Sequence, residues 1–543
     1  MSQRKDFIHR HRFALGFLGV FLLILVYMSS SRFIGGSDVY PGRFVPVSLV
    51  TEGDYDLNEF MFLRNNNPSE WMAGAKYYHA PGKVYHGKVI SNSPTLAATL
   101  MAPFYIIPFR IMNLSPRHYL VFYMEKAFAS LFVALSALFV FLALREKRTT
   151  RGWAILITVA YALGTSSWAI SSQALWQHGP SQFFVAMSLW LWVRQKRTNS
   201  GFFLCGLAVG GAVASRMSNA VWSVLLFLDI FLLYRTGDIK RITQGFLSSF
   251  EPLKPRKMIR WIWLFLKSRK AIILFIAGGM PAFFFLFFYN LAHFGAPWKT
   301  AYNVIGGGVS ASLKYEYMPA GILGLLFSPS LGLIPNAPFY IFIPLSIWLA
   351  FHHRFPNDKN SHIILPVLFI TSNILLYSQR LGWWGGWSFV YRRLTDVLPA
   401  LSFLLFGMSR LKFAFTRKWI AWPVRSGVMI IFIIFLAWGT FVQAFGVYMW
   451  FGNYYREWKN INQKLYVNFQ NHAPDTIFDH ESVHWTFDKK YHLIFREWKL
   501  SKWDPSRRLV TPGKIYHDLF VKKHIKYGKY APIILQIGEG YKP

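Results

Sequence analysis

The hydrophobic stretch FALGFLGVFLLILVYMS at residues 13–29, followed by Ser37-Asp38-Val39-Tyr40-Pro41-Gly42-Arg43, decides how this chain folds. An apolar run of about 17–25 residues has the length of a membrane-spanning helix. The polar segment behind it carries the acid Asp38 just outside the predicted span. A carboxylate at this level can accept a proton or hold a metal ion at the height of the lipid head groups. The stretch therefore predicts a first span that ends beside a site for chemistry.

The rest of the chain continues this pattern. It is 53% hydrophobic and only 15% charged, which is too apolar for one soluble core. Repeated apolar runs predict an α-helical polytopic membrane protein with eleven spans. We expect these spans near residues 13–29, 119–144, 152–170, 181–193, 200–215, 219–234, 271–292, 337–352, 362–377, 394–409 and 427–449.

Residues 94–113 are also apolar, but Pro94, Pro103 and Pro108 interrupt them. Counting this segment as a further span would put the basic run at residues 145–148 on the outer side, against the positive-inside tendency. We therefore predict an interfacial or half-inserted helix here.

Charge predicts the orientation. The proposed inner segments (1–12, 145–151, 194–200, 235–270, 353–361 and 409–426) contain 28 Lys and Arg but 5 Asp and Glu, whereas residues 30–93 contain six of each sign. This distribution predicts a cytoplasmic N-terminus, a large first outer loop and an extracytoplasmic tail in the inner or plasma membrane of the cell.

We divide the chain into a transmembrane domain, residues 1–451, and a C-terminal extracytoplasmic domain, residues 452–543. Within the first, residues 30–118 form the first outer loop with its interfacial helices. Short alternating runs in the tail, such as Leu465-Tyr466-Val467-Asn468-Phe469, together with Pro and Gly breaks, predict a small α+β domain.

The charge distribution and the absence of certain sequence motifs exclude several function classes. The net charge of +35 is concentrated in short loops between spans, so we predict no nucleic-acid partner. The sequence contains no Walker loop and no GxGxxG after a strand. The lone Cys205 lies in an apolar run and is typical of a small packing residue.

Polar and aromatic side chains collect instead at the predicted outer ends of spans. Trp and Tyr there are usually membrane anchors, and Arg can extend to the interface without any further role. Glu125 and Asp229 lie within predicted spans, where acids are rare. The candidate functional groups that share the outer face are Asp38, His86, Lys88, His178, Arg216, Arg392 and Arg393.

Four segments resemble the GT-C class of membrane glycosyltransferases, in particular the family of protein mannosyltransferases and aminoarabinose transferases. The segments are Asp38–Leu49 with Gly53-Asp54-Tyr55-Asp56-Leu57; Leu175-Trp176-Gln177-His178-Gly179-Pro180-Ser181; Tyr289-Asn290 with Phe294–Pro297 and Gly324–Leu333; and Trp384-Gly385-Gly386-Trp387 with Arg392–Pro399. They follow one another in order across residues 30–400.

The resemblance implies an enzyme of cell-envelope glycan biosynthesis that transfers a sugar from a polyprenyl-phosphate donor to a glycan, lipid or protein acceptor at the outer face of the bilayer. It implies a single inverting displacement with Asp38 as the catalytic base and cations on the departing phosphate. The implied substrate-binding residues are Arg43, His86, Lys88, His178, Arg216, Tyr302, Arg392 and Arg393.

Two departures from the family pattern concern acids that could bind metal. Asp38 is followed by Val39 where the family often has Glu, and Ser91-Asn92-Ser93-Pro94 stands where a second loop acid is expected. The sequence therefore assigns no metal ligand and no definite cofactor. If the enzyme uses a divalent metal ion, the candidates are Mg²⁺ and Mn²⁺.

Three other classes remain open. A lipid-linked sugar flippase or secondary transporter usually has symmetric halves and paired broken helices, and neither is visible here. An oligosaccharide ligase would use a diphosphate donor and a large late outer loop, whereas the long loop comes first in this chain. A non-enzymatic membrane scaffold is the third alternative.

Overall fold

The computed structural model describes most of the predicted membrane domain. The described residues are 12–30, 39–60, 88–91, 93–116, 118, 120–194, 198–231, 270–300, 313, 315, 318–328, 331–355, 358–380, 389–414 and 418–448. The predicted C-terminal α+β domain lies outside them, and so do Asp38, His86 and Tyr302.

Helices dominate the first half of the described chain. They are α1 (Arg12–Met28), α2 (Tyr40–Thr51), α3 (Leu96–Tyr105), α4 (Leu120–Glu146), α5 (Arg151–Leu163), α6 (His178–Val193), α7 (Asn199–Ser215) and α8 (Met217–Phe231). Helix α3 continues as a π-helix over Ile106–Ile111, and a second π-helix over Ser167–Ser171 follows α5.

The second half contains α9 (Lys270–Phe294), α10 (Met318–Phe327), α11 (Leu333–Asn336), α12 (Ile343–His352), α13 (Ser361–Ser378), α14 (Leu398–Phe403) and α15 (Lys418–Tyr448). A 3₁₀ turn over Pro338–Phe342 leads into α12, and α14 is flanked by 3₁₀ helices over Arg392–Val397 and Leu404–Phe413. Within the described ranges the only β pairing consists of isolated bridges, Asp56 with Ile90 and Leu313 with Arg380.

Every predicted span contains helix. Among the described residues, five helical segments are long and apolar enough to cross a membrane: Leu120–Glu146, Lys270–Phe294, Ser361–Ser378, Arg392–Phe413 and Trp422–Tyr448. Others, such as Arg151–Leu163 and Asn199–Ser215, are apolar but shorter. Regular helix satisfies each backbone amide within the segment, as lipid requires. The helical membrane architecture is therefore supported, while the number of crossings stays a prediction.

Helix α4 lies at the centre of the first half and packs against α1, α5 and α6. Its inward face is made of small side chains, including Ala129, Ala134, Ala137 and Ala143, which are fully buried. Small residues let helix backbones approach each other closely. Close packing matters in a membrane because lipid tails are as apolar as the helices, so the hydrophobic effect does not drive one helix onto another. Large apolar side chains such as Phe17 and Ile107 point outward, at 75% and 63% exposure.

Three helices in the described part of the chain lie outside the predicted spans and the predicted interfacial segment: α2, α10 and the four-residue α11. Helix α2 contains Pro41 in its first turn and Pro46 inside it, and α10 begins at Met318-Pro319. Proline is tolerated in the first turn of a helix, where its missing N–H has no partner to lose. The predicted interfacial segment is helical from Leu96, after Pro94, and becomes a π-helix between Pro103 and Pro108.

Candidate functional site

A buried cluster of charged side chains forms where α6, α7, α13 and the 392–397 turn meet. We call it the arginine cluster: His178, Arg216, Tyr377, Arg392, Arg393 and Asp396. His178 is the first residue of α6, Arg216 directly follows α7, and Tyr377 is in the last turn of α13. These are the helix ends that the sequence predicts to face outward.

Arg216 and Asp396 form the centre of the cluster. Arg216 Nη1 donates to Asp396 Oδ2 at 2.5 Å, and Arg216 Nη2 donates to the hydroxyl of Tyr377 at 2.5 Å. Arg216 is only 7% exposed and Asp396 is fully buried. A carboxylate buried this deeply is stable only when it is paired and hydrogen-bonded. The fold therefore commits one arginine to neutralising this acid.

His178 links this pair to Arg392. Arg392 Nε donates to His178 Nε2 at 3.1 Å, while His178 Nδ1 lies 3.2 Å from Asp396 Oδ1. Arg216 Nη1 also lies 2.6 Å from His178 Nδ1, so both ring nitrogens of His178 face a guanidinium group. His178 thus holds Arg392 and Asp396 in fixed positions on the two sides of its ring.

The remaining cations of the cluster lie against aromatic rings. The Arg392 guanidinium is 4.3 Å from the centroid of Trp176, and that of Arg393 is 5.6 Å from the centroid of Tyr377. Aromatic faces attract cations, and the attraction grows when water is excluded. Arg392 is buried and Arg393 is half-buried.

Arginine dominates the side chains of the cluster. Arg216, Arg392 and Arg393 lie around His178, Tyr377 and Asp396. Several cations held close together create a local field that favours an anion, and guanidinium groups present forked donors that match phosphate oxygens. The arrangement is thus chemically suited to hold a phosphate at the predicted membrane surface.

A second buried ion pair lies beside the cluster. Arg43 of α2 donates through Nε to Glu125 Oε2 of α4 at 2.5 Å, and the Leu175 backbone N–H donates to Glu125 Oε1 at 3.0 Å. Leu175 immediately precedes Trp176, so one carboxylate connects α2 with the segment that supports Arg392. Glu125 is fully buried and Arg43 is 4% exposed.

The structure brings together four of the predicted site residues: His178, Arg216, Arg392 and Arg393. Arg43 lies beside them in its pair with Glu125. Lys88 does not join them, because its side chain is 50% exposed and pairs with Asp56 at 3.4 Å. The predicted catalytic Asp38, with His86 and Tyr302, lies outside the described residues.

The two neighbouring arginines of the cluster differ in burial. In the structure the 3₁₀ helix begins at Arg392, which is the more buried of the two. The reason is that Arg392 inserts between Trp176 and His178.

Sequence reasoning missed Asp396 and Tyr377. Asp396 falls inside the predicted span at residues 394–409, so the rule that singled out Glu125 and Asp229 would also have found it. Tyr377 carries no comparable signal, because tyrosines at span ends are ordinary membrane anchors. Asp229 accepts a hydrogen bond from Trp192 Nε1 at 2.8 Å, close to the other end of α6.

Among the residues that the structure describes, no group of three or more His, Cys, Asp and Glu side chains is arranged to hold a metal ion. No protein-family model matches this chain, and no curated protein matches it.

Proposed function

We propose that this protein is a membrane glycosyltransferase that moves a sugar from a polyprenyl-phosphate donor to an acceptor hydroxyl on the extracytoplasmic face of the membrane. The observation that carries the proposal is the convergence of three arginines on His178, Tyr377 and Asp396 at helix ends predicted to face outward. The sequence resemblance to GT-C enzymes supports the same reaction, and the exposed apolar helix faces fit a donor that enters from the bilayer.

In the proposed reaction Asp38 removes the proton from the acceptor hydroxyl. The acceptor oxygen then forms a bond to the anomeric carbon as the bond from that carbon to the phosphate oxygen breaks. The electron pair stays on the phosphate, which leaves with an additional negative charge. This single displacement inverts the configuration of the sugar.

The arginine cluster has the complementary role. Negative charge on the phosphate grows as the bond breaks, so preorganised cations bind the transition state more tightly than the donor itself. We assign Arg392 and Arg393 to the phosphate, because guanidinium groups present forked donors that match phosphate oxygens and both residues lie at a helix end predicted to face outward. Arg216 forms the ion pair with Asp396. His178 keeps Arg392 in place through Nε2.

Purified protein in lipid nanodiscs, given a polyprenyl-phosphate donor with a radiolabelled sugar, tests the proposal. We expect transfer to an acceptor with release of the lipid monophosphate. In sealed proteoliposomes, a lipid-linked sugar that crosses the bilayer without transfer would instead identify a flippase or transporter. Turnover only with a diphosphate donor would identify a ligase.

Asp38→Asn tests the base. The amide keeps the shape of the side chain but cannot take the proton, so we predict that turnover falls about 10²–10⁴-fold while the donor still binds. Glu52→Gln is the matched control, because Glu52 is an exposed acid of the same loop and should be dispensable. Near-normal turnover of Asp38→Asn would remove Asp38 from the mechanism.

A further inference from the structure

Two consecutive charged residues of α4, Glu125 and Lys126, are both buried, at 0% and 1% exposure. Burying an ion inside a protein is costly, so the contacts that these two side chains make reveal what they hold in place. Successive residues of a helix point in different directions, about 100° apart. The pair therefore reaches two different segments of the chain.

Lys126 holds the end of the turn after α1. Its Nζ donates to the Ser30 carbonyl oxygen at 2.7 Å and lies 2.9 Å from Ser30 Oγ. Ser30 Oγ in turn lies 3.4 Å from Gln173 Oε1, and Gln173 Nε2 donates to the Tyr27 carbonyl at 3.3 Å. The C-terminal end of α1 is thereby joined to the segment that leads to Trp176.

Glu125 holds α2 and the same segment. One carboxylate oxygen of Glu125 accepts a hydrogen bond from Arg43, and the other accepts one from the Leu175 backbone N–H. Both oxygens are therefore hydrogen-bonded. The Arg43 guanidinium also lies 4.2 Å from the centroid of Phe122, one turn earlier on α4. Arg43 has the geometry of a structural ion pair within the fold.

We propose that Glu125 and Lys126 are positioning residues that fasten α1 and α2 to the 173–175 segment and so set the start of the first outer loop against the arginine cluster. Residues 30 and 43, which they hold, flank Asp38 in the sequence. Only the kinetic part of this inference rests on the proposed glycosyltransferase function, because the fastening itself is a property of the fold.

The fastening is tested without any activity assay. Val39, which immediately precedes α2, is only 1% exposed. In a Cys205→Ala background, a Val39→Cys variant should react slowly with a maleimide. Adding Glu125→Gln or Lys126→Met should increase the labelling rate at least tenfold. Lys147→Met, a buried lysine just beyond the other end of α4, is the control and should leave the rate unchanged.

The milder Ser30→Ala variant removes the hydroxyl that contacts Lys126 and Gln173 but leaves the Ser30 carbonyl acceptor in place, and it keeps the test usable if Lys126→Met does not fold. We expect an intermediate labelling rate for it. Unchanged labelling in folded Glu125→Gln and Ser30→Ala would overturn the proposal, as would equal acceleration by Lys147→Met.

Kinetics supply the second readout. Glu125→Gln should lower kcat at least tenfold and leave the KM for the lipid-phosphate donor within about threefold, since the arginines that bind phosphate stay in place. A rise in KM with normal kcat would contradict the positioning role. If the parent protein transfers no sugar but labelling responds as expected, the proposed function fails and the fastening stands.

Discussion

Arg216 and Arg392 differ in the contacts that they make. Arg216 is tied to Asp396 by a short ion pair, and its loss would leave a fully buried carboxylate without this cation. Arg392 lies against the ring of Trp176 and donates to His178 Nε2, and we propose that it also contacts the donor phosphate. Removing one partner of a buried pair costs about 3–5 kcal/mol of stability, whereas removing an arginine that binds the substrate lowers turnover first.

This difference predicts the outcome of replacing Arg392. Arg392→Ala should lower kcat by about 10²–10³-fold and weaken donor binding, because a preorganised donor to the transition-state charge is lost. Arg392→Lys should recover only part of the rate, since an ammonium cannot present a fork or stack on Trp176 as well. Both effects are measured by steady-state transfer with the lipid-phosphate donor.

Arg410→Lys is the matched control for this series. Arg410 is a buried arginine at the opposite end of the same helical segment and pairs with Asp358. Its replacement should lower the unfolding temperature without changing kcat of the folded protein. Equal loss of kcat in both lysine variants would mean that Arg392 acts through the fold alone.

At the scale of the helices, α7 and α9 approach each other through glycine. A Cβ atom at Gly206 would lie 1.8 Å from the Phe275 carbonyl oxygen, and one at Gly278 would lie 1.9 Å from the Phe203 carbonyl oxygen. In each case the added Cβ would collide with a backbone carbonyl oxygen of the other helix, and a side-chain rotamer change cannot relieve such a collision. The two helices must separate if either glycine gains a side chain.

We therefore predict that Gly278→Ala destabilises the protein by about 1–3 kcal/mol, the usual cost of overpacking. Gly279→Ala is the control on the next residue, because its Cβ would meet only the Gly206 carbonyl oxygen at an ordinary 3.7 Å. Thermal unfolding in detergent measures both variants. Equal loss of stability in the two variants would show that helix separation is not the cause.

The sequence predicted the long apolar helices better than the segments that connect them. Long, mostly apolar runs such as residues 119–144 and 271–292 are recovered as α4 and α9, with ends displaced by only a few residues. Helix α2 was missed because Pro41, Gly42 and Pro46 together indicate a loop. Its helical state depends on packing that includes the Arg43–Glu125 pair, which joins residues far apart in the sequence.

The same limit applied to the candidate site. The predicted topology places His178, Arg216 and Arg392 at span ends that are expected to face outward. The structure brings these three residues into contact. The acid that organises them, Asp396, was overlooked although it lies in an apolar segment. Which arginine neutralises it depends on the distance between α7 and the 392–397 turn, and a linear pattern does not contain that distance.

Considered as a whole, the molecule has polar clusters at both ends of the same helical segments. His178 and Trp192 lie at opposite ends of α6, and Arg392 and Arg410 lie at opposite ends of the 392–413 segment. Away from the arginine cluster, Asp358 binds Lys147 Nζ at 2.6 Å and Arg410 Nη2 at 2.6 Å. We call this group the aspartate clamp. It joins three loops that the charge pattern assigns to the cytoplasm.

The aspartate clamp predicts a pH dependence of stability. Burial raises the pKa of Asp358, but hydrogen bonds from Lys147 and from the Phe355 backbone N–H, together with the charges of Lys147 and Arg410, outweigh burial and lower it. A carboxyl with a lowered pKa stabilises the fold above its unfolded pKa of about 3.9, and this stability is lost as the pH falls through the folded pKa.

Asp358→Asn should therefore cost about 3 kcal/mol at pH 7, the lower end for breaking a buried pair. The difference from the parent protein should shrink below about pH 4, where Asp358 itself becomes neutral. Chemical unfolding at several pH values measures it. A destabilisation that stays constant down to pH 3 would assign the effect to packing and not to charge.

The two clusters also make the orientation of the molecule testable. If basic loops stay in the cytoplasm, the aspartate clamp faces inward, and the arginine cluster with the first loop and the tail faces outward. Single cysteines in a Cys205→Ala background can report this with a membrane-impermeant maleimide on intact cells. We expect cysteines at Glu52 and Asn471 to be labelled directly, and one at the exposed Lys359 to be labelled only after permeabilisation. Direct labelling of the cysteine at position 359 would show that the orientation is the reverse of the predicted one, with the arginine cluster on the cytoplasmic side. Labelling of Asn471 only after permeabilisation would place the tail inside and reduce the predicted eleven spans to an even number.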